Sequence, residues 1–560
     1  MPVDFDRYYD NEELAEALEA LSKAHPRIFE LRSLARSHEG RDIPLLVATN
    51  RTSGNDREKP AFWVDANIHA TEVTGTMAAL YLLVELAAKY GHDPKVTRLL
   101  DEQVIYVAPR LNPDGAALAL AEQPRMIRSG TRAYPEAHRA DGLHAEDIDG
   151  DSRIVQMRMA DPSGDWKASD RDPRLLVKRG LAEEGGTYYR LLPEGAIENF
   201  DGHLIALASN LEGLDFNRNF PAGWRPEGEQ YGAGDFPGSE PEIRAVIEFI
   251  SGHPNIFGAI TFHTYGRVIL RPFSSKPDDD MLTQDLWVYQ ALGKRGTELS
   301  GYPCASVNHD FRYHPKEISG GAFDDWAYEH LGIFGFTIEL WDLATAAGIK
   351  EKNEERKFIE WFRTHPVEDD YKILDFIDEH APDALVPWHE FEHPQLGPVE
   401  LGGWDLMYSW RNPPRHLLLD EIRPHAEFLI DFAAAGPRLR WVETKATQLG
   451  DGRFHVVGVV ENAGFLSTSG SERARQTKRA RKVRLELHCG ADEKISSGQP
   501  RQDLGHLEGR SNKLDVTFGY SPTDNRALAE WIVEGRSGNK LELVAVSDRA
   551  GVIRTTVLLP

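Results

Sequence analysis

Two histidines and a glutamate of this chain lie just after apolar segments that are typical of β-strands. His69 and Glu72 lie three residues apart, directly after the apolar segment 61–67 and at the start of a helical pattern. His263 follows a second apolar segment, 256–262. At the start of a helix, a spacing of three can direct an imidazole and a carboxylate to one point. The three side chains form a His₂Glu set, the open arrangement in which proteins hold catalytic zinc.

Chance is the alternative explanation for each of these residues taken alone. The chain has 21 His, so a His and a Glu three apart arise easily as a surface His beside a helix-capping Glu. A lone His at a strand end is more often a satisfied core or rim residue than a ligand. The zinc hypothesis therefore depends on all three residues occurring together.

Further polar residues carry the other parts of a hydrolytic site. Glu339 closes the apolar segment 336–338. Alone it would be an exposed strand end, but beside zinc a carboxylate in a partly dry cleft can take a proton from water. Asn217 and Arg218 are consecutive and offer a fork of donors suited to a carboxylate, with a surface salt bridge as the alternative.

The segments that must position these residues alternate between strand and helix. The first 115 residues predict helices over 11–24 and 71–90 and strands over 42–49, 61–67 and 104–108. Short apolar strands alternating with helices predict an α/β sheet covered on both faces. In open sheets of this kind, ligands bind beyond the carboxyl ends of the strands.

Three regions follow in the chain. Residues 116–214 are rich in Arg, Asp and Gly and predict an insertion built on loops. The α/β pattern then returns, with helices at 240–251 and 285–300, strands at 256–262, 267–272 and 332–340, and further helices to about 435. Beyond a boundary at 436–437, alternating segments predict a small all-β sandwich: 454–460, 483–487 and 541–546. The predicted domains are 1–435 and 437–560.

Composition excludes several classes of function. Lys and Arg number 64 against 89 Asp and Glu, for a net charge of −25, and such a field repels nucleic acid and anionic membranes. The basic segment 473–484 is a local exception, expected as a solvated loop or strand edge. With only Cys304 and Cys489, and no apolar leader at the N-terminus, we expect a cytoplasmic protein without a disulfide framework. Nothing in the sequence indicates an oligomeric state.

Six motifs occur in a fixed order: HATE (69–72), NPDG (112–115), DFNRNF (215–220), FHTYG (262–266), GGAFDDWAY (320–328) and FTIEL (336–340). Over about residues 7–435, apart from the insertion, the chain resembles the funnelin metallocarboxypeptidases, the carboxypeptidase A and B type. The resemblance implies a mixed central sheet flanked by helices. It also implies Zn²⁺-dependent hydrolysis of the last peptide bond of peptides that have a free C-terminus.

The resemblance assigns the metal and the base. His69, Glu72 and His263 look like the zinc ligands of the family. Glu339 looks like its catalytic base and acid. These assignments coincide with the residues selected above on their chemistry.

The resemblance also assigns residues that hold the substrate. Asn217 and Arg218 look like the pair that binds the terminal carboxylate, and Asp215 like the carboxylate that orients His69 from behind. Arg128 best matches the arginine that polarises the scissile carbonyl, with Arg125 as its close rival.

The chain departs from the family pattern in three ways. The family's mobile Tyr should lie a few residues before Gly320, where this chain has Lys316, Glu317 and Ile318, and Tyr313 is out of register. No residue of this chain is therefore assigned the role of the mobile Tyr. The insertion stretches the spacing of the ligands, and the secretory signal and inhibitory pro-segment of the digestive members are not expected here.

The specificity position of the family falls on an acidic residue. Counted back from Trp326, Asp324 matches the residue at the bottom of the side-chain pocket, which is Asp in the B-like members. This match predicts a preference for basic C-terminal residues, because an unpaired carboxylate in a closed pocket disfavours an apolar side chain. One extra residue after Gly320 and Gly321 leaves room for a shifted register, and Asp325 is a structural alternative.

A second metal site is a weaker hypothesis. Asp147, Asp149 and Asp151 alternate as at the start of an EF-hand loop and could bind Ca²⁺. The glycine stands at the fourth place and Arg158 at the twelfth, so an acidic turn explains the segment equally well.

Three classes of function are compatible with these residues. A carboxypeptidase needs the metal, the base and the carboxylate clamp, and all three are present. A zinc amidase, deacylase or cell-wall peptide hydrolase would keep the metal but need not keep Asn217 and Arg218. A catalytically inactive binding protein would have lost a ligand or Glu339, and none is lost.

Overall fold

The computed structural model describes residues 3–312, 319–349 and 358–560. The first part of the chain forms one edge and the centre of a sheet, with helices packed on it. Its elements are α1 (Asn11–Ala24), β1 (Phe29–Arg36), β2 (Asp42–Ala48), β3 (Ala61–Ala66), α2 (Thr74–Lys89), α3 (Pro94–Glu102), β4 (Val104–Ala108) and α4 (Pro113–Ala119).

The predicted insertion follows. It contains long loops, as expected, but also short strands that the sequence analysis did not identify. These strands are β5 (Gly142–Ala145), β6 (Gln156–Ala160), β7 (Trp166–Ala168), β8 (Leu176–Lys178), β9 (Tyr189–Pro193) and β10 (Gly195–Glu198).

The α/β pattern then resumes and completes the sheet. The elements are α5 (Pro241–Ser251), β11 (Ile256–Thr264), β12 (Val268–Arg271), α6 (Thr283–Ser300), β13 (Cys304–Ser306), α7 (Val307–Asp310), α8 (Phe323–Leu331), β14 (Phe334–Leu340), α9 (Leu343–Ala346), α10 (Phe358–Arg363), α11 (Val367–His380), β15 (Leu385–His393), β16 (Gly397–Trp404) and α12 (Leu418–Ala434).

The prediction of helices alone up to residue 435 is wrong over 385–404. This stretch forms the antiparallel pair β15 and β16, and β16 pairs with β6 of the insertion. The resulting sheet has the order β15-β16-β6-β9-β7-β8. The insertion strands span only three to five residues and pair mostly with one another, and β6 joins them to β16, a segment far along the chain.

The central sheet has the order β1-β2-β4-β3-β11-β14-β12-β13 and mixes parallel with antiparallel pairs. Its three central strands, β3, β11 and β14, run parallel. Nearly every residue of these strands is buried, because helices cover both faces of the sheet. One core, with α2, α6 and α12, lies on one face, and a second, with α5 and α8, lies on the other. The predicted mixed α/β fold is confirmed.

Residues 439–558 form two four-stranded antiparallel sheets that share one apolar core. Their elements are β17 (Leu439–Gly450), β18 (Arg453–Asn462), α13 (Glu472–Gln476), β19 (Val483–His488), β20 (Lys494–Ser497), β21 (Arg501–Gly505), β22 (Arg526–Glu534), β23 (Lys540–Ser547) and β24 (Gly551–Leu558). The last helix of the first region ends at Ala434, just before the expected boundary at 436–437.

One short helix departs from the all-β expectation, and it lies in the basic segment. The Ser471 side chain accepts a hydrogen bond from Ala474 N (3.0 Å), which caps the helix Glu472–Gln476. Asp285, on α6, accepts hydrogen bonds from the backbone N–H groups of Glu472 and Arg473 (2.8 and 2.9 Å). The helix thus forms where the β-rich region contacts the central α/β region.

A buried arginine fixes the same contact. Arg549, which is 2% exposed, donates hydrogen bonds to the carbonyls of Leu331 and Gly332 at the end of α8 and to that of Ser469. Because these carbonyls would lose a charged donor without Arg549, the contact holds the two regions in a fixed arrangement. Among the described residues, no helix is both long and apolar enough to cross a bilayer.

Candidate active site

The loop after β3 turns sharply to bring two polar side chains to the end of the sheet. Asn67 adopts a left-handed backbone conformation (φ 55°), and its amide nitrogen donates a hydrogen bond to the His69 carbonyl (2.7 Å). Its side-chain oxygen accepts a hydrogen bond from Arg110 Nε (3.0 Å). Gly75 lets the start of α2 approach closely, since a Cβ there would lie 2.9 Å from Phe262 Cβ. The loop is thereby held against the strand that carries His263.

Three ligand atoms converge at this point. His69 Nδ1 lies 3.0 Å from Glu72 Oε1, and His263 Nδ1 lies 3.0 Å from Glu72 Oε2. The two Nδ1 atoms are 3.1 Å apart. All three side chains are buried, each at most 2% exposed. The structure therefore brings together the three residues that the sequence analysis selected as zinc ligands.

The donor set fits zinc. Two ligands of one tetrahedral zinc, each at about 2.0–2.1 Å, lie roughly 3.3 Å apart, close to the distances found between these atoms. Two imidazole nitrogens with nothing but a carboxylate between them do not satisfy each other unless one carries a proton. A divalent cation accepts the lone pairs of both, so His69, Glu72 and His263 are the residues that would hold it.

The outer side of one ligand is also fixed. Asp215 Oδ1 lies 3.1 Å from His69 Nε2, so Nε2 carries the proton and the Nδ1 lone pair points inward. Burial raises the pKa of Asp215, but the charges of Arg128 and Arg218 and the hydrogen bond from His69 oppose this more strongly and hold that pKa well below its usual value. Asp215 is therefore ionised and lies behind His69, as the family resemblance implies.

Glu339 lies beside the ligands because of the strand register. In the parallel pair β11 and β14, His263 and Glu339 are directly opposite each other. Burial raises the pKa of Glu339 to about 7; the negative charge of Glu72 adds to this rise, and the positive groups of His263, Arg128 and Arg411 oppose it. A carboxylate with such a pKa can both accept and return a proton near neutral pH.

Of the two candidate arginines, the structure brings Arg128 to the ligands. Its Nη1 donates to Glu72 Oε1 (3.1 Å), and its Nε donates to Asp215 Oδ2 (3.0 Å). Arg125 instead pairs with Glu212 at the surface, at 2.5 Å. Arg128 is the arginine that can contact a carbonyl bound at the metal site.

The predicted carboxylate clamp lies on a short turn, Phe216–Arg218. Asp215 starts this turn by accepting a hydrogen bond from Asn217 N (2.8 Å), and Asn217 Oδ1 accepts one from Phe323 N (2.9 Å). Gly321 has a φ of 69°, and a Cβ there would lie 2.2 Å from the Arg218 carbonyl oxygen. This close approach fixes the clamp turn against the start of α8, where the predicted specificity residue lies.

The two aspartates at the start of α8 differ in their contacts. Asp325 accepts hydrogen bonds from Ser274 N (2.8 Å) and Ser275 Oγ (3.1 Å), as a structural residue does. Asp324 Oδ1 accepts one from Asp325 N (2.9 Å). Burial raises the pKa of Asp324, and the positive groups of His263 and Arg218 counteract that rise. Asp324 therefore lies near enough to His263 and Arg218 for their charges to act on it.

Sequence comparison now decides the family. The profile of the zinc carboxypeptidases matches residues 14–359, which contain the three ligands, the base and the clamp. The chain belongs to the zinc carboxypeptidase family. The resemblance stated from the ordered motifs is confirmed. Residues 438–558 match a domain family of unknown function (DUF8731).

Individual zinc carboxypeptidases are distant relatives. Carboxypeptidase A2 of Rattus norvegicus is 28% identical over 349 residues, which cover 61% of this chain and 64% of that protein. Carboxypeptidase A1 of Sus scrofa is 26% identical over 341 residues, which cover 60% and 62%. The structure of thrombin activatable fibrinolysis inhibitor shares 21% identity and covers 60% of this chain and 69% of its own, with a TM-score of 0.40. The chain spans less than two thirds of the curated relatives that it matches.

Two predicted features of this chain, the calcium site and the mobile Tyr, are not supported or lie outside the described residues. Asp147, Asp149 and Asp151 lie close together, with ligand atoms within 4.8 Å of one another. Their carboxylates accept hydrogen bonds from nearby backbone N–H groups, as in an acidic turn. The predicted binding of Ca²⁺ by these aspartates is therefore not supported. Tyr313 and the segment 316–318, considered for the mobile Tyr, lie outside the described residues.

Sequence reasoning missed one charged group near the candidate metal site. Arg411 lies at the end of the helical turn Leu406–Arg411, beyond the segment that matches the family. Its positive charge acts on Glu339. No motif marks this turn in the sequence, and only the folded structure places it at the active site.

Proposed function

We propose that this protein is a zinc-dependent carboxypeptidase that removes the last residue from peptides with a free C-terminus. The observation that carries the proposal is the convergence of His69 Nδ1, His263 Nδ1 and the Glu72 carboxylate next to Glu339. Membership of the zinc carboxypeptidase family supports the same reaction.

The protein's own groups divide the work of hydrolysis. The chemistry that zinc supplies when bound is Lewis acidity, which lowers the pKa of a water molecule and polarises a carbonyl group. Glu339 takes the proton from the attacking water and gives it to the leaving amine. Arg128 donates hydrogen bonds to the carbonyl oxygen as negative charge develops on it.

The clamp selects the end of the peptide. Arg218 and Asn217 donate hydrogen bonds to the terminal carboxylate, which places the last peptide bond at the metal ligands. A site that hydrogen-bonds the carboxylate disfavours a blocked terminus, because the half-buried arginine then lacks the carboxylate that it binds.

Replacing Arg218 with Ala is expected to raise KM for peptides with a free C-terminus by at least about 30-fold, since truncating a buried charge pair costs about 2–5 kcal/mol. Release of free amino acids from matched free and amidated peptides measures the effect. Arg125→Ala, which breaks only the surface pair with Glu212, serves as the control and should leave KM within about twofold. Equal rates on free and amidated peptides in the unmutated protein would contradict the clamp and favour an amidase.

A preference for basic C-terminal residues is the finer part of the proposal, and it depends on Asp324. The unmutated enzyme is expected to favour peptides ending in Arg over those ending in Phe, because a buried carboxylate pairs with the guanidinium. Asp324→Asn keeps the shape of the side chain and should lower the Arg-to-Phe ratio of kcat/KM by about 30-fold or more. A ratio that stays constant, or an unmutated enzyme that favours Phe, removes Asp324 from the pocket.

A further inference from the structure

The helical turn Leu406–Arg411 is fastened to the backbone on both sides of a zinc ligand. Asn412, which follows the turn directly, is fully buried. Its Oδ1 accepts hydrogen bonds from Thr74 N (3.1 Å) and Thr74 Oγ1 (2.8 Å), and its Nδ2 donates to the Thr71 carbonyl (2.8 Å). Thr71 and Thr74 flank Glu72 in the chain, so the position of the turn is tied to that of the ligand.

A second hydrogen bond ties the same turn to the base. Trp341 Nε1 donates to the Ser409 carbonyl (2.7 Å). Trp341 is buried and stands two residues after Glu339 at the end of β14. The turn is thus held between the segment that carries Glu72 and the strand that carries Glu339, and its end has a fixed place at the active site.

Arg411 occupies that place with its charge available. Its guanidinium carbon lies 5.2 Å from the ring centre of Tyr265, two residues after His263. The side chain is half-buried. Within residues 3–312, 319–349 and 358–560, no carboxylate forms an ion pair with it at 4.0 Å or less. Arg128, by comparison, donates to two carboxylates, and the Arg218 charge acts on Asp215 and Asp324.

Aromatic rings complete the wall beside Arg411. The ring of Phe362 lies 6.0 Å from that of Tyr265, and the ring of Trp410 lies 5.9 Å from that of Phe362. Such a wall can cover the methylene groups of a substrate side chain while the guanidinium binds its charged end. The aromatic wall and the guanidinium together suit the binding of a short acidic side chain.

We propose that Arg411 is a substrate-binding residue that recognises a carboxylate on the penultimate residue of the peptide, as in peptides with Glu before the last residue. This inference rests on the proposed function, in which Arg218 holds the terminal carboxylate. Arg218 is anchored through the start of α8, whereas Arg411 is anchored through Thr71, Trp341 and Tyr265. A peptide that runs from Arg218 across the ligands presents its preceding residue to Arg411.

Peptide pairs that differ only in Glu or Gln at the penultimate position test the proposal. The unmutated enzyme is expected to favour the Glu peptide in kcat/KM by about tenfold or more, because a charge-assisted hydrogen bond is stronger than a neutral one. In Arg411→Gln the ratio of kcat/KM for the Glu peptide to that for the Gln peptide should fall to within about twofold. Arg411→Lys should keep part of the preference, because it keeps the charge without the fork.

The matched control is Arg415→Gln. Arg415 lies in the same part of the chain and stacks on an aromatic ring, that of Tyr408, at 5.6 Å. It is exposed and is not among the residues placed at the active site. The Glu-to-Gln ratio should stay unchanged in this variant. An unmutated enzyme without a preference for Glu, or a ratio that persists in Arg411→Gln, overturns the proposal.

A binding measurement separates this proposal from the proposed function. The zinc-loaded Glu339→Gln protein is used with the same two peptides, and their dissociation constants are measured by calorimetry with and without Arg411→Gln. Tighter binding of the Glu peptide that depends on Arg411 supports the subsite even if no peptide is cleaved. If the unmutated enzyme cleaves both peptides but the two dissociation constants are equal, the proposed carboxypeptidase activity stands and the subsite is refuted.

Discussion

A protein that carries His263→Ala is expected to lose its stoichiometric zinc and, with the metal, its turnover. The unmutated chain should hold one zinc ion through His69, Glu72 and His263, whose ligand atoms lie within 3.1 Å of one another. Removal of one of three protein ligands leaves a site with too few donors for tight binding. Metal analysis after dialysis against a weak chelator measures the loss.

Two further variants make this experiment specific. Asp215→Asn removes the charge behind His69 but no ligand, and it should weaken zinc binding by about 10–100-fold. His253→Ala removes a buried imidazole that stacks on Phe249, away from the ligands, and should leave zinc binding unchanged. Full zinc content in His263→Ala, or none in the unmutated chain, contradicts the assignment of the site.

Replacing Glu339 with Gln is expected to lower kcat by about 10²–10⁴-fold or more, because the amide keeps the shape of the side chain but cannot accept a proton. Zinc should stay bound, since Glu339 is not one of the three converging ligands. Glu400→Gln is a suitable control, because Glu400 pairs with Arg158 in the sheet formed by the insertion. Near-normal turnover by Glu339→Gln would exclude the base.

The pH dependence gives a second measure of the same residue. Burial raises the pKa of Glu339 to about 7, and a bound cation lowers it again by favouring the carboxylate. The base works only when it is deprotonated, so activity is present above this pKa and is lost as the pH falls through it. The acidic limb of kcat/KM should therefore lie at or below about pH 7, and this limb should be absent from the residual activity of Glu339→Gln.

The metal site could be predicted from the sequence because its residues depend on local pattern and simple topology. Each follows an apolar segment, and the carboxyl ends of neighbouring parallel strands meet at one edge of a sheet. His263 and Glu339 are opposite each other because β11 and β14 pair in parallel, and strand character alone suggested both. Their positions at strand ends, together with His69 and Glu72, made both side chains candidates for the site.

Arg411 could not be predicted in this way. Its position follows from contacts of Asn412 with Thr74 and of Trp341 with Ser409, which join segments far apart in the chain. No spacing rule connects such segments. The strands at 385–404 were also missed: β15 and β16 pair with each other locally, and β16 in addition pairs with β6 of the insertion, far away in the chain.

Asp324 and Asp325 show a second limit of prediction from sequence. Both are buried carboxylates at the start of one helix, and the sequence offers only their order. The structure distinguishes them because Asp325 accepts hydrogen bonds from Ser274 and Ser275. Contacts of this kind depend on side-chain direction, which a sequence pattern does not contain.

The place of the last helix of the α/β region has a consequence for synthesis on the ribosome. Phe432 in α12 packs on Phe62 of β3, with ring centres 4.8 Å apart, and so covers a strand made hundreds of residues earlier. Until α12 leaves the exit tunnel, α2 and α6 cover this face of the sheet only in part, and exposed apolar surface of this kind favours chaperone binding. The Asn412 contacts around Glu72 form equally late. A chain released before residue 412 would carry His69, Glu72 and His263 but would lack both α12 and the Asn412 contacts around Glu72.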